Sequence, residues 1–214
     1  GTTGTPKNEA TNYSDAHLAP CLSHTRKATM SSGPDTIAVS DDLIEGAYNA
    51  VNVCLQVRPR EKVTLITDDR TKEIAQSICN EASKVGASCH VFVLEDFSPR
   101  PHTDMPEVIL DDLATSQVSV YAAWGQPGEL RTRMQMVKVV TEHHLRHGHM
   151  ININRQIMRE GMRADFLKVD EISTRVWALA RTARRIRAAT ALGTDIVAEF
   201  GPKLKWLKTS GIIT

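Results

Sequence analysis

Apolar positions recur along this chain with two periods that alternate regularly between Asp41 and Asn154. Leu43, Ala47, Ala50, Val51 and Cys54 fall on one stripe of a helix predicted over 41–57, with Ser40 or Asp41 as its cap and Pro59 as its stop. KVTLIT (62–67) reads as a short strand. A helix over 70–85 follows, burying Ile74, Ile78 and Ala82, with Gly86 where a left-handed residue closes helices. SCHVFVL (88–94) is a second strand. The stretch 106–115 is a helix with Pro106 in its first turn and Val108, Ile109 and Leu113 for the core. VSVYAAW (118–124) gives a third strand, 129–147 a helix, and 150–153 a fourth strand.

Strands and helices alternating at this spacing predict βαβ units. The fold class is therefore α/β: a mostly parallel sheet of about four to five strands flanked by helices, in Rossmann-like layering. The near-continuous apolar character of 118–124 agrees, because parallel sheets are covered on both faces. After Asn154 the alternation stops. A short helix carries Ile157, Met158 and Met162, and a long one over 169–191 aligns Ile172, Val176, Leu179, Ala183 and Ile186. Gly193 is placed at its end, and 195–200 with 204–207 is expected to form a hairpin turned by Gly201-Pro202-Lys203. Residues 1–33 show neither period and few large apolar side chains, so a disordered tail is expected there, with Met30 a natural initiator and the domain spanning 38–214.

Hydrophobic residues at 41 % and charged residues at 24 % suit a soluble globular protein. A formal net charge of +1 gives no default attraction to polyanions, so no nucleic-acid partner is expected. No apolar run approaches the roughly 20 residues that cross a bilayer. No basic stretch leads into an apolar signal core, and a cytoplasmic location without a membrane partner is expected. Cys21, Cys54, Cys79 and Cys89 form no CxxC pair and read as free thiols.

Ligands of parallel sheets bind beyond the carboxyl ends of the strands. Those ends supply Asp68 and Asp69, then Glu95 and Asp96, then Gly125, then Asn154 and Arg155. Two acidic pairs offer hard oxygens to a divalent cation; as solvated loop carboxylates they would equally favour the next helix N-terminus. A phosphoacceptor receiver reading is excluded by the Ala122-Ala123-Trp124 end of the third strand, which lacks an aspartate. Gly125-Gln126-Pro127-Gly128-Glu129 is the nearest approach to a phosphate loop, but Pro127 lacks a donor and Glu129 adds negative charge, so it reads as a turn leading into a helix. In EHHLRHGH, His143 and His147 are four apart, the helical spacing at which two imidazoles meet one zinc; the same residues also complement a helix C-terminus. Arg175, Arg181, Arg184, Arg185 and Arg187 follow Asp170-Glu171 along one predicted helix, as a solvated or interface face. No residue is assigned as catalytic, cofactor-binding or metal-ligating.

The run GMRAD (Gly161, Met162, Ala164, Asp165), Gly193-Thr194-Asp195, Leu204-Lys205-Trp206 and Gly211-Ile212-Ile213 resembles the thermophilic metalloprotease family, of leucyl aminopeptidase and aminopeptidase T type. The opening GAYNAVNVCLQVRPREKVTLITDD looks like that family's first helix and strand, and the similarity covers 39–214. The resemblance implies the N-terminal α/β domain of a homodimeric, two-metal aminopeptidase acting on peptides, with zinc, cobalt or similar ions held by a C-terminal catalytic domain beyond Thr214. The chain would then supply scaffold, cleft wall and dimer contacts. Two alternatives stand beside it: the corresponding domain of a related iron-dependent hydroxypyridine dioxygenase, and a non-catalytic module binding a small ligand or a protein.

Overall fold

A computed structural model describes residues 37–213. The expectations for residues 1–33, including Cys21 and Met30, lie outside the described residues. Strands β1 (Lys62–Thr67), β2 (Ser88–Val93), β3 (Val118–Ala122) and β4 (Arg146–His149) form one parallel sheet in the order β2-β1-β3-β4. Helices α1 (Ile44–Tyr48), α2 (Lys72–Val85), α3 (Glu107–Ala114), α4 (Leu130–Glu142) and α5 (Arg155–Arg159) accompany it. The expected α/β architecture is present, and α6 (Phe166–Ala180) with an antiparallel hairpin, β5 (Arg185–Ala189) and β6 (Asp195–Glu199), follows it. Among the described residues no helix is long and apolar enough to cross a membrane.

Strand side chains alternate between faces, so β1 and β3 feed two cores. Val63, Leu65, Val118 and Val120 pack with Leu43, Val51, Ile74, Ile78 and Met158 on the α1, α2 and α5 side. Ile66 and Tyr121 pack with Ile109, Leu113, Met136 and Leu145 on the α3 and α4 side. Both faces are thus covered, as a parallel sheet requires. Gly86 takes φ 89° and ends α2 as expected. Gly46 has a different reason to be glycine: a Cβ there would lie 2.5 Å from the Met158 carbonyl oxygen, so only a bare Cα lets α1 approach α5.

Several expectations change. The first helix opens as a 3-10 turn (Asp41–Leu43) and closes as a π-helix (Asn49–Cys54), and the Ser40 hydroxyl donates to Glu73 Oε1 (2.7 Å) instead of capping. The fourth strand lies earlier, at Arg146–His149 instead of 150–153, because α4 stops at Glu142. Strand formation in so polar a segment follows from its partners: Arg146 donates to Gln56 O (2.7 Å) and pairs with Glu61, and His147 is satisfied by Ser119 on β3.

The long helix ends at Ala180, and the hairpin pairs 185–189 with 195–199, not 195–200 with 204–207. Gly193, at φ 100°, turns that hairpin, where Thr190 N donates to Thr194 O (2.9 Å). Alanine-rich composition favoured helix through Ala191, but cross-strand pairing and the Arg187–Asp195 ion pair (2.7 Å) take the segment into a strand. The arginines therefore do not share one helix: Arg175 lies on α6 and pairs with Glu171, while Arg185 and Arg187 lie on β5.

No residue of α6 is buried. Leu167, Val176 and Leu179 are 68, 60 and 77 % exposed, and Leu192 at the hairpin turn is 99 % exposed. Polar ties hold the segment in place: Lys208 Nζ pairs with Asp170 (2.6 Å), Trp177 Nε1 donates to Trp206 O (3.2 Å) and Ile213 N donates to Cys54 O (2.8 Å).

Candidate functional site

In the order β2-β1-β3-β4 the chain leaves β1 toward one edge and returns to β3 on the other side, so the switch point lies between the carboxyl ends of β1 and β3. Open α/β sheets bind ligands in that crevice. Here β1 ends on Asp68 and β3 on the loop containing Trp124, and the crevice between them is filled from within. The Arg100 side chain, only 2 % exposed, enters from the loop after β2. Its Nη1 donates to Asp68 Oδ2 (2.8 Å), its Nη2 to the Trp124 carbonyl (2.6 Å) and to Glu129, and its Nε to Glu129 Oε1 (2.8 Å).

The two carboxylates are committed elsewhere as well. Asp68 Oδ1 accepts from the amides of Arg70 (3.0 Å) and Thr71 (2.9 Å) and from the Thr71 hydroxyl (2.6 Å), turning the chain into α2; its Oδ2 also accepts from Trp124 N (2.6 Å). Glu129 accepts from His102 N (3.1 Å). Burial alone would raise both carboxyls. The hydrogen bonds from Thr71, the Trp124 amide and Arg100 outweigh it at Asp68, and those from Arg100 and the His102 amide outweigh it at Glu129, so both lie below the usual carboxylate range.

This network answers the candidates raised by sequence. Asp68 is buried against a guanidinium and is not free for a cation. Asp69 is exposed beside Lys72 (3.3 Å), and Glu95 Oε2 accepts from Asp69 N (3.1 Å). Asn154 caps α5 by accepting from Ile157 N (3.0 Å), and Arg155 forks onto Asp42 (2.7 and 2.9 Å). Gly125 N donates to Asn152 Oδ1 (2.8 Å), while Glu129 turns inward to Arg100. Among the described residues no group of three or more His, Cys, Asp or Glu side chains is placed to hold a metal ion. Cavities lined by Ile37, Val39 and Ile44, by Gly201, Pro202 and Leu204, and by Ala50, Cys54 and Phe166 do not include Asp68, Arg100 or Glu129 in their lining. Cys54 is buried, and its thiol is pushed up to about 11 by burial; Cys79 and Cys89 are partly buried free thiols.

A second cluster lies at the sheet edge. His143 follows the end of α4 and His147 lies within β4, so the helical zinc spacing does not exist. His147 and His149 instead share one strand face, with His147 Nε2 3.2 Å from His149 Nδ1 and His147 Nδ1 2.8 Å from Ser119 Oγ. His149 stacks on Tyr121 at 5.5 Å. Burial and the neighbouring His149 push His147 down to about 4; burial and the Arg133 charge lower His149. The sequence marked the carboxylates at the rim but not Arg100, because one arginine in the irregular Ser98-Pro99-Arg100-Pro101 stretch has no periodic signature.

These features define a parallel α/β domain whose switch-point crevice is closed by its own ion network. No family model matches the chain, and no curated protein matches it. Among solved structures it is similar to 2,5-dihydroxypyridine dioxygenase from Pseudomonas putida KT2440, at TM-score 0.54 and 12 % identity over 77 % of this chain and 49 % of that one. At that identity the likeness shows the fold alone. A second match, the CurK enoyl reductase, has TM-score 0.29 at 12 % identity over 69 % of this chain and 54 % of that one. The chain spans about half the length of these solved structures. The resemblance to metalloaminopeptidases is not upheld: no family model or curated protein supports it, and the structural neighbour at TM-score 0.54 is a dioxygenase. Peptide hydrolysis, and zinc or cobalt as its ions, are set aside with it.

Proposed function

We propose that this chain is the α/β scaffold domain of a larger, metal-dependent oxidoreductase of the ring-cleaving dioxygenase type, whose metal and substrate are held by residues outside 37–213. The observation that carries this reading is the Arg100 plug: the crevice where a parallel sheet would bind its ligand is occupied by a guanidinium sharing two buried carboxylates. A domain so closed offers walls and support, not a reaction centre. The likeness to a dioxygenase of which this chain covers 49 % supports the class, and the bare apolar residues of α6 and the hairpin supply a face for further protein to cover.

The residues present do not fit a catalytic iron. Asp68 and Glu129 spend their lone pairs on Arg100 and on backbone amides, and among the described residues the two imidazoles of β4 have no third His, Cys, Asp or Glu placed with them to hold a metal ion. No chemical step is therefore assigned to this chain. Its contribution is a rigid platform and a surface for docking.

The test compares the 214-residue chain with the longest reading frame that contains it, each supplied with ferrous iron and 2,5-dihydroxypyridine, by oxygen uptake. The expected result is uptake by the longer protein and none by the chain alone. Ring cleavage by the chain alone would overturn the scaffold assignment, and an inert longer protein would overturn the reaction class.

A further inference from the structure

We propose that a small pocket between the π-helix Asn49–Cys54, the end of β4 and the start of α6 binds one uncharged aromatic ring. Its volume is about 130 Å³. An apolar cavity of about 150 Å³ admits benzene or xenon, whereas pockets for drug-sized ligands run to about 300 Å³ or more. One six-membered ring is therefore the largest occupant that fits. Folded interiors leave few voids wider than a water molecule, and the walls of an empty one forgo their dispersion contacts.

The lining selects the chemistry. Ala50, Leu55, Phe166 and Ile213 are apolar, and among the described residues the one polar side-chain group is the Cys54 thiol. Burial pushes that thiol up to about 11, so it stays neutral. The main-chain groups of the wall already have partners. Leu55 N donates to Ala50 O (2.9 Å), Ile213 N to Cys54 O (2.8 Å) and Met150 N to Tyr121 O (2.8 Å). Asn49 Nδ2 donates to Met162 O (2.8 Å). A buried water needs two to four polar partners, and a hydroxyl or charge brought here would go unpaired. Cys54, Met150 and Met162 make the wall rich in sulfur, and polarisable thioethers favour the edge of an aromatic ring over an aliphatic one.

Two further features belong to the same place. Ala50 and Cys54 both come from the π-helix, a rare element that recurs at functional sites. At the outer lip, Gly211 has φ 86°, and a Cβ there would lie 2.8 Å from Phe166 Cδ1, so a bare Cα lets 211–213 close against that ring. Gly211 is exposed and Met162 and Phe166 are half-buried, which leaves a ring a way in from solvent past this lip.

The experiment follows the methionine methyl NMR signals of the 214-residue chain during separate titrations with benzene, cyclohexane and phenol. The expected result with benzene is a saturable ring-current shift at Met150 and Met162, and none at Met134, exposed on α4, or at Met136, buried on the opposite side of the sheet. Cyclohexane and phenol should each bind more weakly by about threefold or more. Cys54→Leu, which puts a larger side chain into the gap, should weaken benzene binding by about tenfold or more. Gly148→Ala serves if the leucine variant fails to fold. A Cβ there meets Leu55 and Val120 at 3.7 Å, an ordinary contact, and narrows the same gap, so this variant too should bind more weakly. No saturable shift with benzene, equal affinity in a folded variant, or phenol or cyclohexane binding as tightly as benzene would overturn the proposal.

Discussion

Removing the Arg100 guanidinium while leaving Asp68 and Glu129 in place would strand two carboxylates in a site closed to water. Breaking a buried ion pair from one side costs about 3–5 kcal/mol, far more than the pair itself contributes. Arg100→Met is therefore expected to lower the unfolding free energy in urea by about that amount, with an unchanged denaturant slope. His147 gives a second residue-level prediction, with the opposite chemistry. Its folded-state pKa is depressed to about 4, so between the ordinary histidine value near 6.5 and that point the unfolded chain binds a proton that the native chain does not. Stability should fall as pH drops through this window, by about 3 kcal/mol in total. His147→Gln should flatten that slope in denaturation series run from neutral to mildly acid pH. The carboxylates at the rim could be read from sequence because strand ends are easy to locate. Their partner could not, because Arg100 is brought to them by tertiary packing alone.

At the scale of elements, the succession of strands and helices was legible wherever apolar period and a stop signal coincided, as at Gly86 after α2 and in the apolar run of β3. It failed where partners, not composition, decide. Arg-His-Gly-His has no strand signature, yet Ser119, Gln56 and Glu61 satisfy its polar atoms and it completes the sheet. Arg185–Ala189 has good helix formers and becomes a strand because Asp195–Glu199 returns alongside it. The contact of α1 with α5 rests on Gly46, where an added methyl meets backbone, which cannot swing away. Gly46→Ala should destabilise the domain by about 1–3 kcal/mol through forced separation of the two helices, seen as a lower thermal midpoint. A shift confined to the slightly better helix propensity of alanine, which is stabilising, would show that the helices have room to part.

Across the whole molecule the two ends of the described chain differ in kind. The four-stranded sheet is covered on both sides, while α6 and the hairpin present Leu167, Val176, Leu179 and Leu192 to water. An isolated two-stranded ribbon is marginal in water, and this exposed apolar surface is what the proposed platform role rests on. The Arg100 network adds a mechanical property to that role. By bolting the loop after β2 to the ends of β1 and β3 and to the approach to α4, it makes the rim one inflexible jaw. Any cleft assembled against this face must open and shut through movement of its opposite wall.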